Sequence, residues 1–236
     1  MILVGLVSSY REGRLLRGAV DSLRDHVDHV FVFEGSAGMP VSAEAPESEL
    51  PREGSRVTVE HGAWATDAAK RTAIVKRVNA AYPGEAVWGV WVDGDEVLVN
   101  GAFLFDLLQA VVWRGDDPPV AGYPIRLVEM DGAVVVCRAK VLRIDLVANY
   151  VVSSSGIRFK NGIVQAEGNL PDRIGEWWVP ERMAVLERGD RMMDAPLPGE
   201  PILLHRSPLR HPARVGVRMH VQEGEELKKL GVILPT

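Results

Sequence analysis

The sequence predicts an α/β fold, a mixed and mostly parallel sheet flanked by helices, with a hairpin and an irregular C-terminal part. Three observations predict it. Short apolar runs, among them Ile2 to Val7, Val30 to Phe33 and Val87 to Val92, read as strands buried on both faces, as a parallel sheet requires. Segments of helical spacing alternate with these runs, the order of a sheet covered by helices. Polar or acidic residues close each run, at Ser8-Ser9, Glu34 and Asp93. In open α/β sheets such strand ends are where ligands bind.

The elements follow in order. After the first strand, Leu15, Leu16, Ala19, Val20 and Leu23 fall on one helical face, with Arg17, Asp21 and Arg24 on the other. Val30-Phe31-Val32-Phe33 then completes a βαβ unit. Residues 36–56 hold Pro40, Pro46, Pro51 and the acids Glu44, Glu47, Glu49 and Glu53, and read as a mobile loop. Arg56 to Glu60 alternates like a strand. Asp67 to Ala81 is helical, with Ala69, Ala73, Ile74 and Val78 as its apolar face and Pro83-Gly84 ending it. The strand 86–92 follows and terminates in Asp93-Gly94-Asp95-Glu96, then a helix spans 101–113. Val120 to Met130 and Ala133 to Ile144 read as a hairpin about Asp131-Gly132. Residues 145–200 read as mostly irregular, and 223–230 as a short helix.

Composition bounds the function. The chain has 236 residues, 47% hydrophobic and 25% charged, which excludes a disordered or fibrous chain. A net charge of −5 excludes a basic coat over the whole molecule. One cysteine, Cys137, excludes an internal disulfide framework and a zinc site of several thiolates. The apolar N-terminus is short, lacks a basic leader and reads as a strand rather than a signal peptide. No apolar run reaches the ~20 residues of a membrane-spanning helix. The expectation is a soluble, cytoplasmic protein.

Four clusters carry the candidate chemistry of the first half. In Asp93-Gly94-Asp95, two carboxylates flank a glycine after a buried strand. Both can face one hard divalent cation, which in turn suits a diphosphate. The same residues also read as a solvated acidic turn. Ser8-Ser9-Tyr10-Arg11-Glu12 offers hydroxyls, amides and a ring to a nucleotide, or equally a Ser9/Glu12 capping box. Glu34 before Gly35-Ser36 can accept hydrogen bonds from a base or ribose, or is a surface turn acid. Lys70-Arg71 offers cations to phosphate, or is a solvated helix face.

Taken together, Val7 to Glu12, His29 to Ser36, Lys70 to Ala73 and Trp91 to Glu96 resemble the nucleotide-sugar glycosyltransferases with the GT-A fold, family 2-like, over roughly residues 1–115. The family's usual Asn after the first-strand Tyr is Arg11 here, and its usual Asp after the second strand is Glu34. The resemblance implies one GT-A-like domain over 1–236: a nucleotide-sugar-binding half (1–115), an acceptor-side half (116–204) and a basic C-terminal segment (205–236). It implies that Ser9, Tyr10 and Glu34 hold the nucleoside, and that Asp93 and Asp95 bind Mn²⁺ or Mg²⁺ against the donor diphosphate, with Arg71 nearby. It also implies that a late histidine completes the metal site. His205 is the candidate, at the end of strand-like Pro201 to Leu204.

Residues 205–220 carry four Arg, three His and no acid. Arg206, Arg210 or Arg214 is the candidate diphosphate clamp, since a guanidinium fork matches phosphate oxygens. The stretch also reads as a basic surface or as a track for a phosphate-bearing acceptor. An inverting transferase needs a carboxylate base. Glu167 and Asp172 are the candidates, with Glu129 third. Arg143 and Arg158 are candidate donor or acceptor contacts, and Trp177-Trp178 a stacking surface or a core anchor.

The function expected is metal-dependent transfer of a sugar from a nucleotide diphosphate sugar, UDP-sugars first, to a hydroxyl acceptor with inversion. The sequence leaves the acceptor open among a glycan, a lipid, a protein and a modified nucleic acid. Two rivals stand beside it. One is a sugar-nucleotide-forming nucleotidyltransferase, against which Ser8-Ser9-Tyr10-Arg11 is not a Gly-rich phosphate loop. The other is a non-catalytic nucleotide- or glycan-binding module of the same fold.

Overall fold

The computed structural model describes residues 1–38, 43–51, 54, 56–65, 67–114, 122–130, 134–146, 158–160, 163–165, 201–206 and 209–210. The chain runs β1 (Ile2–Ser9), α1 (Leu15–Arg24), β2 (His29–Glu34), β3 (Val57–His61), α2 (Asp67–Ala81), β4 (Val87–Asp93), β5 (Glu96–Val99) and α3 (Gly101–Arg114). It continues through β6 (Gly122–Glu129), β7 (Val134–Arg143), a 3₁₀ turn (Ile144–Leu146), β8 (Arg158–Lys160), β9 (Ile163–Gln165) and β10 (Ile202–His205).

Eight strands form one sheet in the order β3-β2-β1-β4-β7-β6-β10-β5. The four strands from β3 to β4 are mutually parallel. β7 runs antiparallel to both its neighbours, and β5 runs antiparallel to β10. The architecture is therefore the mixed, mostly parallel α/β sheet that the apolar runs predict. β8 and β9 pair separately.

Alternation along each strand divides the core between two faces. On one face, Leu3, Val7, Val30, Val32, Val90 and Val92 pack with Leu16, Val20 and Leu23 of α1 and with Leu104 and Leu108 of α3. On the other, Val4, Leu6, Phe31, Phe33 and Trp91 pack with Ile74, Val75 and Val78 of α2. Helices on both sides explain why β1, β2 and β4 read as unbroken apolar runs.

Some sequence expectations are corrected. Asp93 to Glu96 is not simply a terminal acidic turn, because Glu96 opens β5. Ser9 and Glu12 form no capping box. Ser9 is the last residue of β1, α1 begins at Leu15 after Arg14, and no side chain caps that helix. Arg11 (φ 53°) and Gly13 (φ 56°) turn the chain between them. Residues 43–51 of the proline-rich loop are seated on this turn. The Glu49 N–H donates to the Gly13 carbonyl, Arg11 reaches the carbonyls of Ala43 and Ala45 and pairs with Glu47, and Ala45 is buried. The turn of the 122–143 hairpin and the helix expected at 223–230 lie outside the described residues.

No helix among the described residues is long and apolar enough to cross a membrane.

Candidate functional site

The chain leaves β1 for β2 on one side, then returns to place β4 on the other. β1 and β4 thus flank the point where the winding reverses, and in open α/β sheets ligands bind outside the carboxyl ends of such strands. Ser8 stands opposite Asp93 there and Ser9 opposite Glu34. The ladder extends beyond the strands, from Gly94 N–H to the Ser8 carbonyl (3.0 Å) and from Gly35 N–H to the Ser9 carbonyl (3.0 Å). Both glycines are required by close approach. A Cβ on Gly94 would lie 2.7 Å from Ser9 Oγ, and one on Gly35 would lie 1.8 Å from the Gly62 carbonyl oxygen.

At the β1–β2 edge, Glu34 is buried. Its Oε1 accepts the Arg11 N–H (3.0 Å) and the Ser48 hydroxyl (2.9 Å). Its Oε2 and Ser9 Oγ are buried with no hydrogen-bond partner among the described residues. Tyr10 follows Ser9, partly buried. Lys70 is 2% exposed, and its ammonium donates to the carbonyls of Ser9 (2.6 Å) and Gly35 (2.9 Å) beneath the Trp64 ring. It ties the ends of β1 and β2 together instead of lying on a solvated helix face.

At the β4 edge the acids are held by cations. Arg71, stacked 4.8 Å from the Trp91 ring, donates to Asp93 Oδ1 (3.0 Å). Lys140, from β7, lies 3.3 Å from Asp93 Oδ2 and reaches both oxygens of Glu96. Asp93 keeps one-third of its side chain exposed, while Glu96 is buried. Burial pushes the Glu96 carboxyl above its ordinary range, against the pull of Lys140.

Asp95 is fully buried. His205 Nε2 stands 2.9 Å from its Oδ2 and an Arg210 nitrogen 2.6 Å from the same oxygen. Burial alone would raise the Asp95 pKa, but the His205 hydrogen bond and the Arg210 charge outweigh it and hold the carboxyl below its usual range. Asp95 Oδ1 has no partner among the described residues. His205 reaches this place because β10 lies antiparallel to β5 with His205 opposite Glu96. The end of β10 therefore joins the site across 110 positions of sequence.

The arrangement gathers Ser9, Tyr10, Glu34, Arg71, Asp93, Asp95, His205 and Arg210 at one sheet edge. Arg206 is used differently. Its guanidinium donates to the carbonyls of Leu15 (2.6 Å) and Asp95 (3.3 Å), pinning the segment to α1 beside Gly18. Arg210 bridges Asp95 and Glu12. Arg143 lies at the amino end of β4, opposite Trp88, paired with Asp145 and away from this edge. Glu167, Asp172, Arg214 and Trp177-Trp178 lie outside the described residues, as do the side chains of Glu129 and Arg158.

Sequence reasoning missed Lys140, Glu96 and Ser48. A lone lysine in the apolar stretch Ala139-Lys140-Val141-Leu142 was the available signal, since a buried lysine calls for an acid. No local signal pointed to Ser48.

The donor set suits a divalent cation in part. Asp95 and His205 are in contact, Asp95 Oδ1 is an orphaned buried oxygen, and Asp93 sits two residues away on the same turn. Among the described residues no three His, Cys, Asp or Glu side chains form a complete metal cage. A Mg²⁺-type site needs only one or two carboxylates when substrate phosphates supply the rest.

No protein-family model matches the chain, and no curated protein matches it. Among solved structures it is similar to S. aureus TarS, at 13% identity and a TM-score of 0.37, over 62% of this chain and 29% of that one. A structure of S. aureus TarS 1-349 is similar at 12% identity and a TM-score of 0.36, over 62% of this chain and 48% of that one. The match spans less than half the length of either.

Proposed function

We propose that the chain is a metal-assisted glycosyltransferase acting on a nucleotide diphosphate sugar. The observation that carries this reading is the assembly of two kinds of recognition on adjoining strands of one sheet edge. An acceptor oxygen and a hydroxyl without hydrogen-bond partners among the described residues, Glu34 Oε2 and Ser9 Oγ, stand at the ends of β2 and β1. A carboxylate pair, Asp93 and Asp95, with His205 stands next to them at β4. The first suits a nucleoside and the second a cation-bound diphosphate.

Asp95 and His205 would hold the cation, with Asp93 beside them. Such an ion neutralises charge developing on a leaving diphosphate. The protein's own residues prepare the site for this. Lys140 and Arg71 hold Asp93 at the carboxyl end of β4. His205 and Arg210 keep Asp95 ionised despite complete burial. Lys70 fixes the β1 and β2 ends, so the nucleoside groups are set before a ligand arrives. Glu167 and Asp172 are the proposed bases, and the hydroxyl acceptor is a glycan, lipid, protein or modified nucleic acid.

The test is donor hydrolysis and transfer with UDP-sugars and Mn²⁺, read as released nucleoside diphosphate. Asp95→Asn should lose turnover at least a hundredfold while keeping a folded spectrum. Full Mn²⁺-dependent turnover in that variant would refute the reading. Pyrophosphate release from a nucleoside triphosphate and a sugar phosphate would point to a nucleotidyltransferase instead.

A further inference from the structure

Glu34 is the buried acceptor of the nucleoside pocket, yet its two oxygens are not equivalent. A carboxylate oxygen has two lone pairs. On Oε1 both are filled, one by the Arg11 N–H at 3.0 Å and one by the Ser48 hydroxyl at 2.9 Å. Ser48 has a single proton, and its oxygen accepts the Glu12 N–H at 3.0 Å, so that proton is committed to Glu34. Oε2 has no partner among the described residues, and neither has Ser9 Oγ, which stands at the matching register position of the neighbouring strand.

Among the described residues, this end of the two strands therefore offers one anionic acceptor oxygen and one hydroxyl. A cyclic imide edge, as in uracil or thymine, matches this. Its ring N–H is a single donor for Oε2, and the flanking carbonyl accepts from a hydroxyl. Guanine presents two adjacent N–H donors and needs an open lone pair on each carboxylate oxygen. Cytosine and adenine turn a ring-nitrogen acceptor toward the carboxylate.

We infer that Ser48, reaching over from the loop between β2 and β3, is a specificity-determining residue that closes Oε1 and so selects an imide base against guanine. Ser48 does this through Glu34, without contacting the reacting atoms. The inference rests on the donor-site reading above. The seating of residues 43–51 on the β1–α1 turn, through Arg11 and Glu49, is what delivers the hydroxyl.

Isothermal titration of UDP and GDP, with Mn²⁺ present, tests it on the full chain. The wild type should prefer UDP. In Ser48→Ala one lone pair of Oε1 becomes free, and the UDP/GDP preference should fall about tenfold, chiefly through tighter GDP binding. Ser48→Thr, which keeps the hydroxyl, should retain the wild-type ratio. Thermal midpoints of both variants confirm folding. A Ser48→Ala ratio within twofold of wild type, or UDP and GDP affinities falling together, overturns the role of Ser48. If UDP binds and Glu34→Gln abolishes that binding, the donor-site reading survives such a failure. If the wild type binds neither nucleotide, both readings fall.

Discussion

Lys140→Met tests how the acidic edge is kept stable. The Lys140 ammonium touches both oxygens of Glu96 and one of Asp93, and only 11% of its side chain meets solvent. Removing one partner of a buried ion pair costs about 3–5 kcal/mol, because the other charge stays buried and unpaired. Glu96 keeps one hydrogen bond, from the Asp93 N–H at 2.8 Å. The cost is therefore placed near the low end, at about 3 kcal/mol. With a urea slope of about 2–3 kcal/mol/M, the unfolding midpoint should fall by about 1 M. Acid should narrow the gap. Without Lys140 the Glu96 carboxyl rises further above its ordinary 4.5, so the folded variant binds that proton more tightly than the unfolded chain does. The gap is full above the variant's raised value and shrinks as the pH falls through it toward the wild type's own value, itself above 4.5. The double variant Lys140→Met/Glu96→Gln removes the stranded charge and keeps an acceptor for Asp93 N–H. It should recover about 2 kcal/mol of the loss. A single variant that loses under about 1 kcal/mol, or a double no more stable than the single, would refute the reasoning.

Two further outcomes follow from the geometry. Gly94→Ala places a methyl 2.7 Å from Ser9 Oγ and 3.0 Å from Glu12 Cγ, so it should destabilise by about 1–3 kcal/mol and weaken nucleotide binding. Thermal melts and UDP titration read both, and an unchanged melt would show that the turn yields freely. His29, bonded to Thr58 at 2.9 Å, has its pKa lowered from 6.5 by burial and then by the Arg77 charge. Its contribution to stability is present above 6.5 and lost as the pH falls below that value toward its folded pKa. His29→Gln should flatten the fall in urea midpoint between about pH 7 and pH 5, and an unaltered slope would count against this cause.

The parallel half of the fold was legible because burial on two faces leaves a plain signature. Ile2 to Val7 and Val87 to Val92 have few polar interruptions, and only helices on both sides allow that. Asp67–Ala81 was legible from its spacing and its Pro83-Gly84 stop. The short strand β5 was not. Its four residues follow an acidic turn and depend on β10, about a hundred positions away, for their pairing. The same limit applies within the site. Asp93, Asp95 and Glu34 are announced by their place after apolar strands. Ser48 and Lys140 act through contacts fixed only by tertiary packing. Arg206 looked like a phosphate ligand by composition, yet it meets two backbone carbonyls, a use that only the β10–α1 contact reveals.

The insertion of β10 between β6 and β5 also sets an order of assembly. β1 to β4 close over short stretches of chain, whereas β5 gains its pairing in the described sheet only when Ile202 to His205 arrive. Closing so long a span is slow relative to local pairing. The β1–β2 side of the sheet is therefore built early in folding and the Asp95–His205 contact late. Pulse-labelled hydrogen exchange during refolding should protect β1 before β5, and simultaneous protection would contradict this order. A growing chain that has not yet produced Ile202 leaves β5 and one edge of β6 unpaired, with backbone groups open to stray strands. The strand that brings His205 to Asp95 is thus also the one that covers the inner edges of β5 and β6.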